Sequence, residues 1–372
     1  MIAHLAPFVH SSFCGQGAHT LSIPHFLTAA FGRKEGHALK HLLRITVLLI
    51  GLIWILAWAA AGRFDDAPAP SDDGTPQAAG EPVSPGERDS ARTLRVLIQG
   101  EVQEMDMGTY LLGVLRAEMP ASFEEEALKA QAIAARTYTL YRIRGGGSAN
   151  HPDADACDDH TCCKAYLSAE QAAANWGGMA VYYEEKLARA VSETDGEVIL
   201  YDGVPILAVF FSSADGSTQG AGDVWMNDLP YLQKVDSPEN EELVPNYYST
   251  ATFSAEEFKS LVQSVYPAAD LSGDVSTWVR DIVRNDSDYV ASVTVGGVKM
   301  RGNDLRTVLS LRSPSFTVET SGSTLTFHVT GYGHGVGMSQ YGANALAKEG
   351  YSAEEIVQHY FSGTSVGYDD AA

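Results

Sequence analysis

One stretch, Tyr110 to Leu140, constrains this chain more than any other. It reads YLLGVLRAEMPASFEEEALKAQAIAARTYTL, an apolar run joined to a long alanine-rich segment through a single proline. Its one carboxylate among apolar neighbours is Glu118, in Ala117-Glu118-Met119-Pro120. A carboxyl held there is expected to be partly desolvated, which raises its pKa; the plainer reading is that it caps a turn. Ser122 with Glu125 has the spacing of a capping box and predicts a helix start. Alanines and straight-chain residues then run to about Ile143 without interior glycine or proline, which predicts a long helix. Lys129 and Arg136 fall two turns apart on one face of it, with Ile133 between them.

The 372-residue chain is 45% hydrophobic, enough for a sizeable core, and its formal net charge of −22 argues against a nucleic-acid partner. Ile45 to Gly62, ITVLLIGLIWILAWAAAG, carries no charge and is just long enough to cross a bilayer as a helix. Arg33, Lys34, Lys40 and Arg44 precede it and Asp65 and Asp66 follow, so the positive-inside rule puts residues 1–44 in the cytoplasm and the rest outside. A cleaved signal peptide is the competing reading, but its apolar core is usually shorter. Residues 63–92, rich in Pro, Ala, Asp, Ser and Gly, read as a disordered spacer. The folded part is expected over 93–366, making the protein a single-pass cell-membrane protein with an extracytoplasmic domain.

Within that part the pattern predicts a strand at Leu94 to Ile98 and a helix over Tyr182 to Thr194. Strands follow at Val198 to Tyr201 and Ile206 to Phe211, joined by the hairpin signal Asp202-Gly203. Ser254 with Glu257 opens a capped helix that stops at Pro267. Strand patterns occupy Thr277 to Val295, and Gly296-Gly297 is a turn. Asn303 to Leu311 reads as helix, and strands at Ser315 to Val318 and Leu325 to Thr330 complete the series. The mixture indicates an α+β, β-rich domain with one long helix beside the groove, not a regular βαβ repeat.

Three cysteines and two histidines crowd one segment, His151-Pro-Asp-Ala-Asp-Ala-Cys157-Asp-Asp-His160-Thr-Cys162-Cys163. Disulfides are the default for clustered cysteines outside the cytoplasm, yet three cannot all pair internally and a Cys162–Cys163 bond would be strained. Thiolates with imidazoles equally suit tetrahedral zinc.

Near the C-terminus comes Gly331-Tyr332-Gly333-His334-Gly335-Val336-Gly337-Met338-Ser339-Gln340-Tyr341-Gly342. Its glycines let backbone approach a ligand closely, and a helix starting near Ser339 offers free N–H groups. It is not a P-loop, because the Gly-Lys-Ser/Thr ending is missing, and a lone His334 is more often structural. Taken with the Glu118 stretch, however, this motif resembles the C-terminal hallmark of the stage II sporulation protein D family. Ser212, Ser213 and Gly216, Pro230-Tyr231-Leu232 and Val235-Asp236 also resemble family segments, so the similarity spans about Leu94 to Thr364.

The resemblance implies a lytic transglycosylase acting on bacterial peptidoglycan glycan strands stripped of their peptides, during engulfment in sporulation. It places the catalytic glutamate on Glu118 and the basic helix residues on Lys129 and Arg136. Ser212, Ser213, His334, Gly335 and Gln340 become substrate-binding candidates. It also implies a structural zinc on His151, Cys157 and Cys163 with Cys162 or His160 as fourth ligand, and a membrane-anchored amidase as partner. Two other readings stay open: a glycan-binding amidase enhancer that does not cut, and a purely structural bridge across the septum in which Glu118 is dispensable.

Overall fold

The computed structural model describes residues 84, 86–225 and 227–369. The expected anchor at 45–62, the tail before it and most of the spacer lie outside the described residues, among which no helix is long and apolar enough to cross a membrane. The fold is α+β, as the pattern predicts.

The described chain opens with a one-turn helix α1 (Glu87–Ser90), then the antiparallel hairpin β1 (Thr93–Ile98) and β2 (Glu101–Asp106). Helices α2 (Met107–Glu118) and α3 (Glu125–Arg144) follow, and β3 (Ala156–Cys157) adds to β1 in parallel. Helices α4 (Ala169–Trp176) and α5 (Ala180–Glu193) lead to β4 (Glu197–Tyr201), β5 (Val204–Pro205) and β6 (Phe210–Phe211). Of the 20 residues in α3, twelve are buried, five of them alanines. Such a helix, buried around most of its circumference, belongs inside a core. Small side chains let α2, α5 and β4 close on it, and Thr137 ties it to β4 by accepting the Ile199 N–H at 2.9 Å.

Residues 248–330 form a second lobe with its own core, centred on Phe258, Val293, Leu305, Leu325 and Phe327. Its elements are β7 (Tyr248–Ser254), a helix Ala255–Val265 with the predicted Ser254/Glu257 capping box, and strands Val279–Arg284, Val290–Val295 and Val298–Arg301. A helix Gly302–Leu309 and strands Phe316–Ser321 and Thr324–Thr330 complete it. The chain then returns to the first core through Met338–Ser339, which pairs in parallel with β6, followed by helices Gln340–Lys348 and Ala353–Tyr360 and the strand Ser365–Tyr368. The second lobe is thus inserted between two strands that lie side by side, and the loops entering and leaving it meet.

Three local expectations are corrected. Ser122 does not cap α3: it is exposed, the cap position is Glu124, and the Glu124 N–H is taken by Asn344 Oδ1 at 2.8 Å. A tertiary acceptor has replaced the local one. Ile206 to Phe211 is not one strand, because Ala208 and Val209 donate to the carbonyls two residues back, at 2.9 and 3.0 Å, and so fold the chain on itself before β6. Finally, the folded part begins before Thr93. Asp195 accepts the N–H groups of Arg88 and Asp89 at 2.9 and 2.8 Å, and Asp89 is buried against Arg136. One buried carboxylate pulls the end of a polar, spacer-like segment into the core.

Candidate active site

Pro120 disfavours helical backbone at the residue before it. Met119 accordingly sits at φ −118° and ψ 138°, and α2 ends on Glu118. The glutamate is therefore at the rim of a helix whose inner face, Leu111, Val114 and Leu115, is fully buried, while Glu118 itself is only partly so. Its Oε1 accepts the Ala165 N–H at 3.0 Å. Oε2 has no protein partner among the described residues, which leaves one carboxyl oxygen oriented and the other available.

The strap carrying Ala165 is seated by a close approach. Gly113 on α2 lies under the Tyr166 ring, where an added Cβ would fall 2.0 Å from the ring, and the Gly113 carbonyl accepts the Leu167 N–H at 3.0 Å. Just upstream, the strap holds Lys164, which the sequence reading did not single out. Lys164 is 9% exposed. Its Nζ lies 3.6 Å from the Phe210 ring centroid and 4.2 Å from that of Tyr138. Burial pulls its pKa down to about 8, partly opposed by the neighbouring Glu118 carboxylate. A lysine next to two cysteines looks like any solvated lysine until the fold buries it.

The glycine-rich motif closes the other side. Gly337, at φ +76°, has its Cα so close to Val209 that a Cβ would fall 2.2 Å from the Val209 carbonyl; no side chain fits there. His334 packs against Phe211 and Trp225, with ring centroids 5.5 and 5.9 Å apart, and its Nδ1 accepts the Val336 N–H at 3.2 Å. Burial, reinforced by the positive charges of Lys164 and Arg306, pushes the imidazole down to about 3. His334 is therefore neutral at physiological pH.

The other expected substrate contacts are placed differently. Lys129 pairs with Glu126 and Glu193 at 2.8 and 2.6 Å. Arg136 is 1% exposed and bidentate to Asp89, at 2.8 and 2.6 Å, so its guanidinium offers no open face to a ligand. Gln340 is buried, with Nε2 3.4 Å from Gln131 Oε1. Gly335 is buried and its carbonyl accepts the Gln219 N–H at 2.6 Å. Ser213 is buried and exchanges backbone hydrogen bonds with Tyr332, while Ser212, half-buried, accepts the Tyr341 N–H at 3.0 Å. These four shape the loops by packing and backbone pairing. A second carboxylate the sequence reading passed over, Glu239, is 3% exposed. It accepts the Ala214 N–H at 2.6 Å and the Ser339 hydroxyl, tying the middle loop to the glycine-rich one.

Beside the strap, His151, Cys157, Cys162 and Cys163 bring one ligand atom each to within 4.8 Å of one another. Tetrahedral zinc with bonds of about 2.3 Å to sulfur and about 2.0 Å to nitrogen needs ligand atoms under about 4 Å apart, so a small contraction suffices. His151 Nδ1 lies 3.0 Å from the Ala154 carbonyl, which favours the tautomer that frees Nε2, itself 3.2 Å from Cys163 Sγ. No disulfide joins the three cysteines. Hydrogen bonds from Ser148 and Asn150 outweigh burial and hold the Cys162 thiol below its ordinary pKa, whereas burial raises Cys157 and Cys163. His160 is exposed and outside the group, so of the two candidates for fourth ligand the geometry gathers Cys162.

Residues 99–201 match the family model described as SpoIID, Stage II sporulation protein. That segment contains Glu118, the strap and the cysteine cluster. Stage II sporulation protein D of Bacillus amyloliquefaciens is 37% identical over 73% of this chain and 76% of its own length. The protein of the same name from Bacillus subtilis is 36% identical over 73% and 77%. An amidase enhancer of B. subtilis is 29% identical, over 69% of this chain but only 40% of its own. On this similarity, the chain belongs to the stage II sporulation protein D family.

Proposed function

We propose that this protein is a lytic transglycosylase that cleaves the bond between N-acetylmuramic acid and N-acetylglucosamine in peptide-stripped glycan, leaving 1,6-anhydro ends. The observation that supports it most is the seat of Glu118: a partly buried carboxyl with one oxygen held by the Ala165 N–H and the other unpartnered among the described residues. As general acid, Glu118 gives its proton to the bridging oxygen as the C1–O bond breaks. As general base, the resulting carboxylate takes the proton of the C6 hydroxyl while O6 bonds to C1. The proton returns to the enzyme and no water is consumed, so one carboxylate serves where most glycosidases use two. Neutral His334 adds no positive charge next to the developing oxocarbenium ion.

In this reading His151, Cys157, Cys162 and Cys163 hold a structural zinc. The ion cross-links the segment before the strap, and four protein ligands leave it no open position. We further propose that residues 45–62 anchor the enzyme as a single-pass helix with the described domain outside the cytoplasm, where a membrane-anchored amidase strips the peptides first. The similarity to an amidase enhancer favours a second reading, glycan binding without cleavage. Mass spectrometry of peptide-free strands incubated with the full chain and with Glu118→Gln separates the two. Anhydro ends formed by the wild type and absent with Glu118→Gln are expected. Strands bound but left intact by both proteins would overturn the enzymatic reading.

A further inference from the structure

Among the described residues Lys164 has no ion-pair partner. Among these residues no carboxylate lies within ion-pair distance and no acceptor takes a hydrogen bond from its Nζ, which faces the rings of Phe210 and Tyr138. Ring faces stabilise a cation only modestly and offer no acceptor to its three N–H donors, on a side chain that is 9% exposed. The other cations considered as substrate contacts are already engaged, Lys129 with Glu126 and Glu193 and Arg136 with Asp89. The unpaired charge sits where the chemistry is expected. The next residue, Ala165, donates its N–H to the Glu118 carboxyl at 3.0 Å.

We propose that Lys164 pairs with a carboxylate of the substrate, the free lactyl group of a muramyl residue, and so selects glycan from which the peptide has been removed. This rests on the glycan-cleaving reading above. A cation directly beside the anomeric carbon would oppose an oxocarbenium ion, so the ammonium contributes by binding a charge on the sugar's periphery. When a peptide is attached, the lactyl carboxyl is an amide and carries no charge. The buried ammonium then stays unpaired in the complex, and a site built to pair a group rejects an analogue lacking it far more strongly than an apolar pocket would.

The test compares peptide-free strands with the same strands after their lactyl carboxyls have been converted to primary amides, a neutral change of nearly equal size. The full-length wild type is expected to show a KM at least about tenfold higher for the amidated strands, with kcat changed less. Lys164→Met keeps the length and the contact with both rings, and is expected to lose the discrimination by weakening only on the carboxylate strands. Lys164→Arg should retain it. Binding of both strands to Glu118→Gln, measured by calorimetry, reads the same preference without cleavage. Absent turnover with preserved binding preference would fail the transglycosylase and leave this pairing standing. Equal KM and equal affinity for the two strands in the wild-type and Glu118→Gln proteins would overturn the pairing and leave the enzyme standing. Should Lys164 serve only as counter-charge to the cysteine cluster, Lys164→Met would lower zinc content while retaining the wild-type preference, which also overturns it.

Discussion

Asp89→Ala tests how the fold treats the residues nearest the expected tether. Asp89 and Arg136 are 2% and 1% exposed and share two hydrogen bonds, Nε to Oδ1 at 2.8 Å and an Nη to Oδ2 at 2.6 Å. With Asp89 gone, the guanidinium keeps only the carbonyls of Glu197 at 3.0 Å and Val191 at 3.4 Å. Removing one partner of a buried pair costs about 3–5 kcal/mol, since the survivor stays charged and desolvated. A cavity of about 50 Å³ beside the pair has room for water that would partly solvate the guanidinium, which places the loss near the low end, about 3 kcal/mol. For a domain of this size that lowers Tm by roughly 6 °C. Urea unfolding followed by circular dichroism reads the change directly. A Thr93–Ala372 fragment, which lacks Asp89, should lose at least as much, and Asp89→Leu combined with Arg136→Met should recover part of it, because no charge is then left buried. A loss under about 1 kcal/mol in Asp89→Ala would refute the reasoning, by showing that Arg136 finds another partner or was never desolvated.

Because burial holds His334 near 3 in the folded state, below its ordinary value, the unfolded chain takes up that proton first. The stability His334 contributes is therefore complete above about pH 6.5 and is lost as pH falls toward 3. Stability of His334→Gln, measured by urea unfolding at several pH values, should fall less than that of the wild type across that window; parallel curves would contradict the assignment. Gly113→Ala should destabilise by about 1–3 kcal/mol and, by lifting Tyr166 and the strap away from Glu118, abolish cleavage of peptide-free glycan; wild-type activity would show that the strap does not orient the acid. Cys157→Ser should lose bound zinc by elemental analysis, and chelator should lower the Tm of the wild type but not of the variant; a metal-free wild type with an unchanged melting curve would exclude the site.

Much of the fold was legible in the sequence because it is written in local chemistry. The α3 helix follows from alanine content and the absence of breakers, and its length follows too. The helix after Ser254 follows from a capping box that the structure retains. Glu118 was found from its apolar setting and its proline, although only the resemblance to a family gave the setting a role. Where the local signal was weak, tertiary structure decided. Ser122 and Glu125 have the spacing of a cap, but Asn344, 220 residues away, supplies the acceptor. Composition marked residues 63–92 as spacer, yet one aspartate in it meets a buried arginine.

The sequence by itself determined the long α3 helix and the capped helix after Ser254, singled out the glutamate before Pro120, and gathered the cysteines and histidines from which a metal site would draw, while leaving the fourth ligand open. All of these depend on residues close in the chain. Only the tertiary structure decided which cations are spoken for. By charge alone Lys129, Arg136 and Lys164 look alike. Burial and pairing separate them: Arg136 is consumed by Asp89 and Lys129 by two glutamates, while Lys164 is left between two aromatic rings beside Glu118. A charge acquires its energy from the medium and the counter-ions around it, and those are contributed by residues distant in sequence.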